Sequence, residues 1–178
     1  MKLTRFSQIE KMTPHSSYRV HSDWKYLKST IDRYCNEIGT AQLDLNPDFQ
    51  RGHIWTEAQQ IAYVEYVLKG GMSGKDIYMN CVGWSNDYRG PFVLVDGKQR
   101  LEAALKFLNN KLRVFGSLYS EFTDRLPSEA MFIININNLD SRAKVLKWYL
   151  EMNSGGTPHT DAELNRVAAL LQEEYKKI

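Results

Sequence analysis

Residues 92–108 read FVLVDGKQRLEAALKFL, a β-rich run closed by a single glycine and followed at once by an apolar helical face. Leu101, Ala104, Leu105 and Leu108 fall at i, i+3, i+4 and i+7, the spacing of one side of an α-helix. With no residues to spare between Val95 and Lys98, a strand must end where a helix begins. Strand and helix therefore belong to one unit, and a mixed α and β fold is the starting expectation.

The rest of the chain fills in that outline. Trp24, Leu27, Ile31, Tyr34 and Ile38 recur at three- and four-residue steps before Gly39, which predicts a first helix from Ser22. Leu43 and Leu45 alternate with polar residues up to Pro47, a short strand running into a loop. Thr56 and Gln59 form a capping box, and Ile61, Val64, Val67 and Leu68 carry an apolar face to the Gly70-Gly71 stop. Runs 76–82 and 91–95 predict neighbouring strands joined by the turn-forming SNDYRG. MFIININ at 131–137 predicts another strand, Asp140 a cap for a helix through Leu150, and Thr160 with Glu163 a second capping box for a terminal helix along Leu164, Val167, Leu171 and Tyr175. Residues 1–21 are polar and broken by Pro14; they read as an arm in short pieces without evident chemistry. No repeat occurs, so the expectation is α+β with strands interspersed among helices.

Composition narrows the function classes. At 178 residues, 43% hydrophobic and 25% charged, the chain is neither disordered nor fibrous, and its length suits one domain. The 23 basic residues against 21 acidic leave a formal +2, so net field alone does not select nucleic acid or membrane, and a basic site must be local. No stretch approaches the ~20 apolar residues of a membrane span, and MKLTRFSQIEKM lacks a signal's apolar run; a cytoplasmic protein without a membrane partner is expected. Cys35 and Cys81 read as buried thiols. The four histidines form no HExxH or Cys/His cluster, and with no GxSxG elbow a serine hydrolase is set aside.

Three segments carry candidate chemistry. In LVDGKQRL, Asp96 offers a carboxylate, Gly97 a tight turn, and Lys98, Gln99 and Arg100 the first helical turn, where free amides and a guanidinium bind phosphate without a Walker-type loop. The alternative is a strand-to-helix turn with solvated charges or an internal Asp96–Arg100 ion pair. PDFQRGHIW places Gln50 and Arg51 between Phe49 and Trp55, aromatics that either stack on a base or pack beneath the loop, while Arg51 has Asp44 and Asp48 as other partners. NSGGTPHT ends a helix with Asn153 and the Gly155-Gly156 pair, where backbone can approach a ligand or simply cap the helix.

In this order, PDFQRGHIW, VLVDGKQRL and EMNSGGTPHTDAEL resemble, over residues 40–170, the domain-of-unknown-function family at the amino terminus of GmrSD-type modification-dependent restriction systems, in the ParB/sulfiredoxin-like superfamily. The resemblance implies a ParB/sulfiredoxin-like single α+β domain, a small mixed sheet flanked by helices, with residues 1–39 as arm and helix and 40–178 as the nucleotide-binding part of one unit. It implies that Asp96, Gly97, Gln99 and Arg100 match the family's DGQQR-type motif, that Gln50, Arg51 and Trp55 match its Q-R-x-x-x-W loop, and that Asn153, Gly155 and Gly156 match its asparagine–glycine motif. Lys98 stands where the family has glutamine and adds positive charge. The implied ligand is a nucleoside triphosphate, ATP, GTP, CTP or UTP, with Mg2+. The implied activity is binding with weak NTP hydrolysis in which Asp96 and Arg100 take the catalytic roles, in restriction, phage–host conflict or DNA modification, with DNA or a separate nuclease or effector as partner. Two alternatives stay open: phosphoryl or nucleotidyl transfer to a hydroxyl acceptor, and a non-enzymatic module that binds DNA or protein. Restriction members carry an HNH-type nuclease domain; its histidine spacing is absent here, so autonomous DNA cleavage is not expected.

Overall fold

A computed structural model describes residues 4–36, 39, 41–50, 54–153 and 161–177. The helix expected from Ser22 forms as α1, Trp24–Asn36, and buries Trp24, Leu27, Ile31 and Tyr34. Ile38 lies outside the described residues. A two-residue strand β2, Leu43–Asp44, leads to a 3-10 turn at Asp48–Gln50, and the Thr56–Gln59 capping box is present at the start of α2, Glu57–Leu68. The turn-linked strands are β3, Asp76–Cys81, and β4, Phe92–Asp96; α3, Lys98–Leu108, follows after one residue.

Strand β5 spans Met131–Asn137, as its composition predicts, and α4, Arg142–Asn153, follows. Its start departs from expectation: the Asp140 carboxylate pairs with Lys144, and the Ser141 hydroxyl accepts the Lys144 amide at 3.4 Å, so serine rather than aspartate faces the first turn. Helix α5, Asp161–Tyr175, buries Val167 and Leu171 but leaves Tyr175 half exposed. Its expected cap at Thr160 lies outside the described residues.

One element was not anticipated. Tyr18–His21, read as the end of a polar arm, and Ser22–Asp23, read as the start of the first helix, form strand β1 (Tyr18–Asp23), antiparallel to β5 from Tyr18 opposite Ile136 to Asp23 opposite Met131. In YRVHSD only Ser22 is buried, so the strand lacks an alternating apolar pattern. Backbone pairing at a sheet edge holds it instead.

The sheet is mixed, in the order β1-β5-β3-β4-β2, with β3 parallel to β5, antiparallel to β4, and β4 parallel to β2. Alternation along the strands divides the side chains between two cores. Ile77, Met79, Leu94, Phe132 and Ile134 meet α1, α2 and α3; Val95 and Phe49 meet α4 and α5. The result is a single α+β domain with helices on both sides of the sheet. Among the described residues no helix is long and apolar enough to cross a membrane.

Candidate functional site

At the β4–α3 junction Gly97 has φ 99°, a left-handed conformation that side chains rarely tolerate. A Cβ there would lie 2.6 Å from Ile77 Cδ1 and 3.3 Å from the Asp76 carbonyl oxygen. Glycine therefore lets α3 start hard against β3. No side chain caps α3, and Lys98 makes no hydrogen bond or ion pair among the described residues. One turn on, Arg100 Nη1 donates to the Asp76 carbonyl at 2.8 Å and Nη2 pairs with the Asp96 carboxylate. The two side chains are 20% and 28% exposed. The internal Asp96–Arg100 pair kept open by the sequence is thus present, and it fixes the guanidinium beside the first turn of α3.

A register shift aims Asp96. Tyr78 on β3 stands opposite Asp96, but its successor Met79 stands opposite Leu94, leaving Val95 as an extra residue on β4. Plain alternation would turn Asp96 to the side of Leu94. The bulge instead turns it to the face of Tyr78, where both line an open cleft of about 270 Å³. Asn153, at the end of α4, lines the same cleft; its Nδ2 donates to the Tyr149 carbonyl at 2.7 Å, leaving Oδ1 as an acceptor. Asp96 and Asn153, far apart in sequence, therefore come together.

The opposite wall is the amino-terminal segment. Thr13 donates its amide to Glu151 Oε2 at 2.9 Å, Asn137 Nδ2 donates to the Pro14 carbonyl at 2.7 Å, and Lys147 pairs with Glu10 at 3.2 Å. His15 Nε2 lies 2.6 Å from the Tyr78 hydroxyl, whose ring meets Trp148 edge to face at 6.0 Å. Burial, and then the Asp76 carboxylate, pushes the Tyr78 hydroxyl up to about 12, so it keeps its proton at neutral pH. Glu151 is raised by burial, but hydrogen bonds from Thr13 and the Lys147 charge more than offset this and hold it below its ordinary value.

The remaining sequence candidates are divided. Gln50 Nε2 donates to the Leu94 carbonyl at 3.0 Å, two residues before Asp96, while its Oε1 is buried without a partner among the described residues. Phe49, 3% exposed, stacks edge to face on Tyr149 at 5.5 Å, so of its two expected roles the structure gives packing beneath the loop. Asp48, a suggested partner of Arg51, pairs with Arg142 at 2.8 Å. Trp55 packs on Tyr63 at 5.3 Å, and its amide donates to Gln99 Oε1 at 2.9 Å. Gln99 thus ties the entry of α2 to α3 and does not line the cleft with Asp96. Arg51, Gly155 and Gly156 lie outside the described residues.

Sequence reasoning missed His15, Tyr78 and Glu151. A signal was present for Tyr78: in DIYMNC the polar Asp76, Tyr78 and Asn80 alternate with the buried Ile77, Met79 and Cys81, marking a polar face on a central strand. Among the described residues no group of three or more His, Cys, Asp and Glu side chains is placed to hold a metal ion. No family model, curated protein or solved structure matches the chain.

Proposed function

We propose that the chain is a nucleoside-triphosphate-binding domain of the ParB/sulfiredoxin-like kind, resembling the amino-terminal domain of GmrSD-type systems, with weak NTP hydrolysis in a DNA-directed process. The observation that carries this reading is the β4–Gly97–α3 junction. There a helix start without a side-chain cap, a Lys98 with no partner among the described residues and a positioned Arg100 stand together. First-turn amides and the helix dipole favour an anion, and two adjacent cations supply the charge that a triphosphate needs. A phosphate arriving at Lys98 competes with Asp96 for Arg100 and releases the carboxylate to accept from another part of the ligand. Mg2+ suits this site only as an ion carried by the phosphates, because among the described residues no group of three or more His, Cys, Asp and Glu side chains is placed to hold it.

The Asp96–Arg100 pair also favours a second reading, a non-enzymatic module in which the pair is a structural tie. Titration calorimetry with each of the four triphosphates separates the two. On the first reading, Arg100→Ala weakens the preferred triphosphate by about 1.5–3 kcal/mol, the range for a hydrogen bond to a charged group, and Lys98→Ala weakens it without moving the unfolding midpoint. A fall in stability with unchanged nucleotide affinity supports the second.

A further inference from the structure

The triphosphate reading assigns the phosphates and leaves the rest of the nucleotide unplaced; the inference below rests on that reading. The cleft between the amino-terminal segment and α4 measures about 270 Å³, somewhat under the roughly 300–1,000 Å³ of pockets that enclose a whole drug-sized ligand. It fits part of a nucleotide.

Its wall chemistry says which part. Among the described residues two carboxylates, Asp96 and Glu151, line the cleft, and no lysine or arginine does. Arg100 and Lys147 neutralise them from outside the lining. A triphosphate in that space would meet acceptor oxygens and, among the described lining residues, no lysine or arginine, so it is the wrong occupant. Carboxylates accept hydrogen bonds, as does the Oδ1 of Asn153, which has no partner among the described residues, so the cleft asks for a ligand rich in N–H and O–H donors. Ribose hydroxyls and exocyclic amino groups are such donors. Between these acceptors stand the Tyr78 ring, half-buried and braced by Trp148, and the thioethers of Met12 and Met152, surfaces suited to a flat ring.

The position agrees with the chemistry. Asp96 directly precedes Gly97, so a ribose held by Asp96 directs its 5′ substituent to the first turn of α3. Carboxylate to ribose and helix start to phosphate is the division of labour that dinucleotide-binding folds use on a different scaffold.

We propose that this cleft is the nucleoside subsite, selective for bases that bear an amino group, with Asp96 and Glu151 accepting from the ribose, the base lying on Tyr78, and His15 and Asn153 meeting its polar edge. His15 then belongs to the binding site although it lies in the amino-terminal segment. Its bond to Tyr78 occupies Nε2 and leaves Nδ1 for the ligand. The contacts of Thr13 and Pro14 with Glu151 and Asn137 hold it there.

The test is titration calorimetry of the full chain with adenosine, guanosine, cytidine and uridine, the four triphosphates, and inorganic tripolyphosphate. The probes run against wild type, His15→Ala, an exposed position, and Tyr78→Phe, which keeps the ring and removes only the hydroxyl. Expected is measurable binding of an amino-bearing nucleoside and weaker binding of uridine. His15→Ala should weaken that nucleoside and its triphosphate by the same factor, about tenfold for one lost hydrogen bond, and leave tripolyphosphate unchanged. The inference is overturned if triphosphates and tripolyphosphate bind alike while no nucleoside binds, or if His15→Ala weakens tripolyphosphate as much as the triphosphate. The triphosphate reading stands in those cases. If nucleosides bind and the phosphates add nothing, the subsite stands and the triphosphate reading falls.

Discussion

Gly97 is the position where one absent carbon decides whether α3 can begin. Its φ of 99° and the 2.6 Å approach of a Cβ to Ile77 Cδ1 predict that Gly97→Ala costs about 1–3 kcal/mol in urea unfolding, with part of the loss from displaced packing. A cost near zero would mean that the junction relaxes freely and positions nothing. Glu151 gives a pH signature. Its carboxyl is held below the ordinary value, so its contribution to stability is complete above an unfolded-state pKa of about 4.3 and is lost as pH falls through the lower folded value. The stability gap between wild type and Glu151→Gln should therefore be steady near neutral pH and shrink below about pH 4; a gap that does not change on acidification contradicts the arrangement. At this scale the sequence was legible where chemistry is local. Gly97 and its neighbours sit in one five-residue string. His15 and Tyr78 were not legible, because they meet only through a contact between segments 63 residues apart.

Elements were legible in proportion to their own signals. Helix α2 announces its start with the Thr56–Gln59 box, and both reciprocal bonds form. Thr56→Ala should lower stability by about 1 kcal/mol, read as a lower urea midpoint at unchanged slope. Strand β5 was read to its end residues because MFIININ is a β-rich run. Strand β1 was not, since an edge strand held by backbone pairing needs no apolar alternation. The bulge at Val95 was equally silent: pairing register is decided by two strands together, and neither FVLVD nor DIYMNC shows it alone. That bulge puts Asp96 on the cleft side, so the site owes its geometry to an element-level feature absent from any motif.

Across the whole molecule, the mixed sheet and its two helical layers follow from the order of elements, whereas the cleft follows from the amino-terminal segment packing on α4, which no periodicity encodes. With no HNH-like spacing, purified protein should make no double-strand cuts in plain or modified DNA; metal-dependent cutting that disappears in Asp96→Ala would move a nuclease reading to first place. The central claim is a triphosphate at the β4–α3 junction, and ligand binding to the folded domain alone must raise its unfolding temperature. The most direct measurement is thermal unfolding with ATP, GTP, CTP, UTP and tripolyphosphate, each with and without Mg2+. At 100 times its dissociation constant a ligand stabilises by about 2.7 kcal/mol, so at least one triphosphate should raise the midpoint by roughly 5–10 °C in wild type and by clearly less in Arg100→Ala. Midpoints that stay unmoved by all five ligands at millimolar concentration would contradict the account.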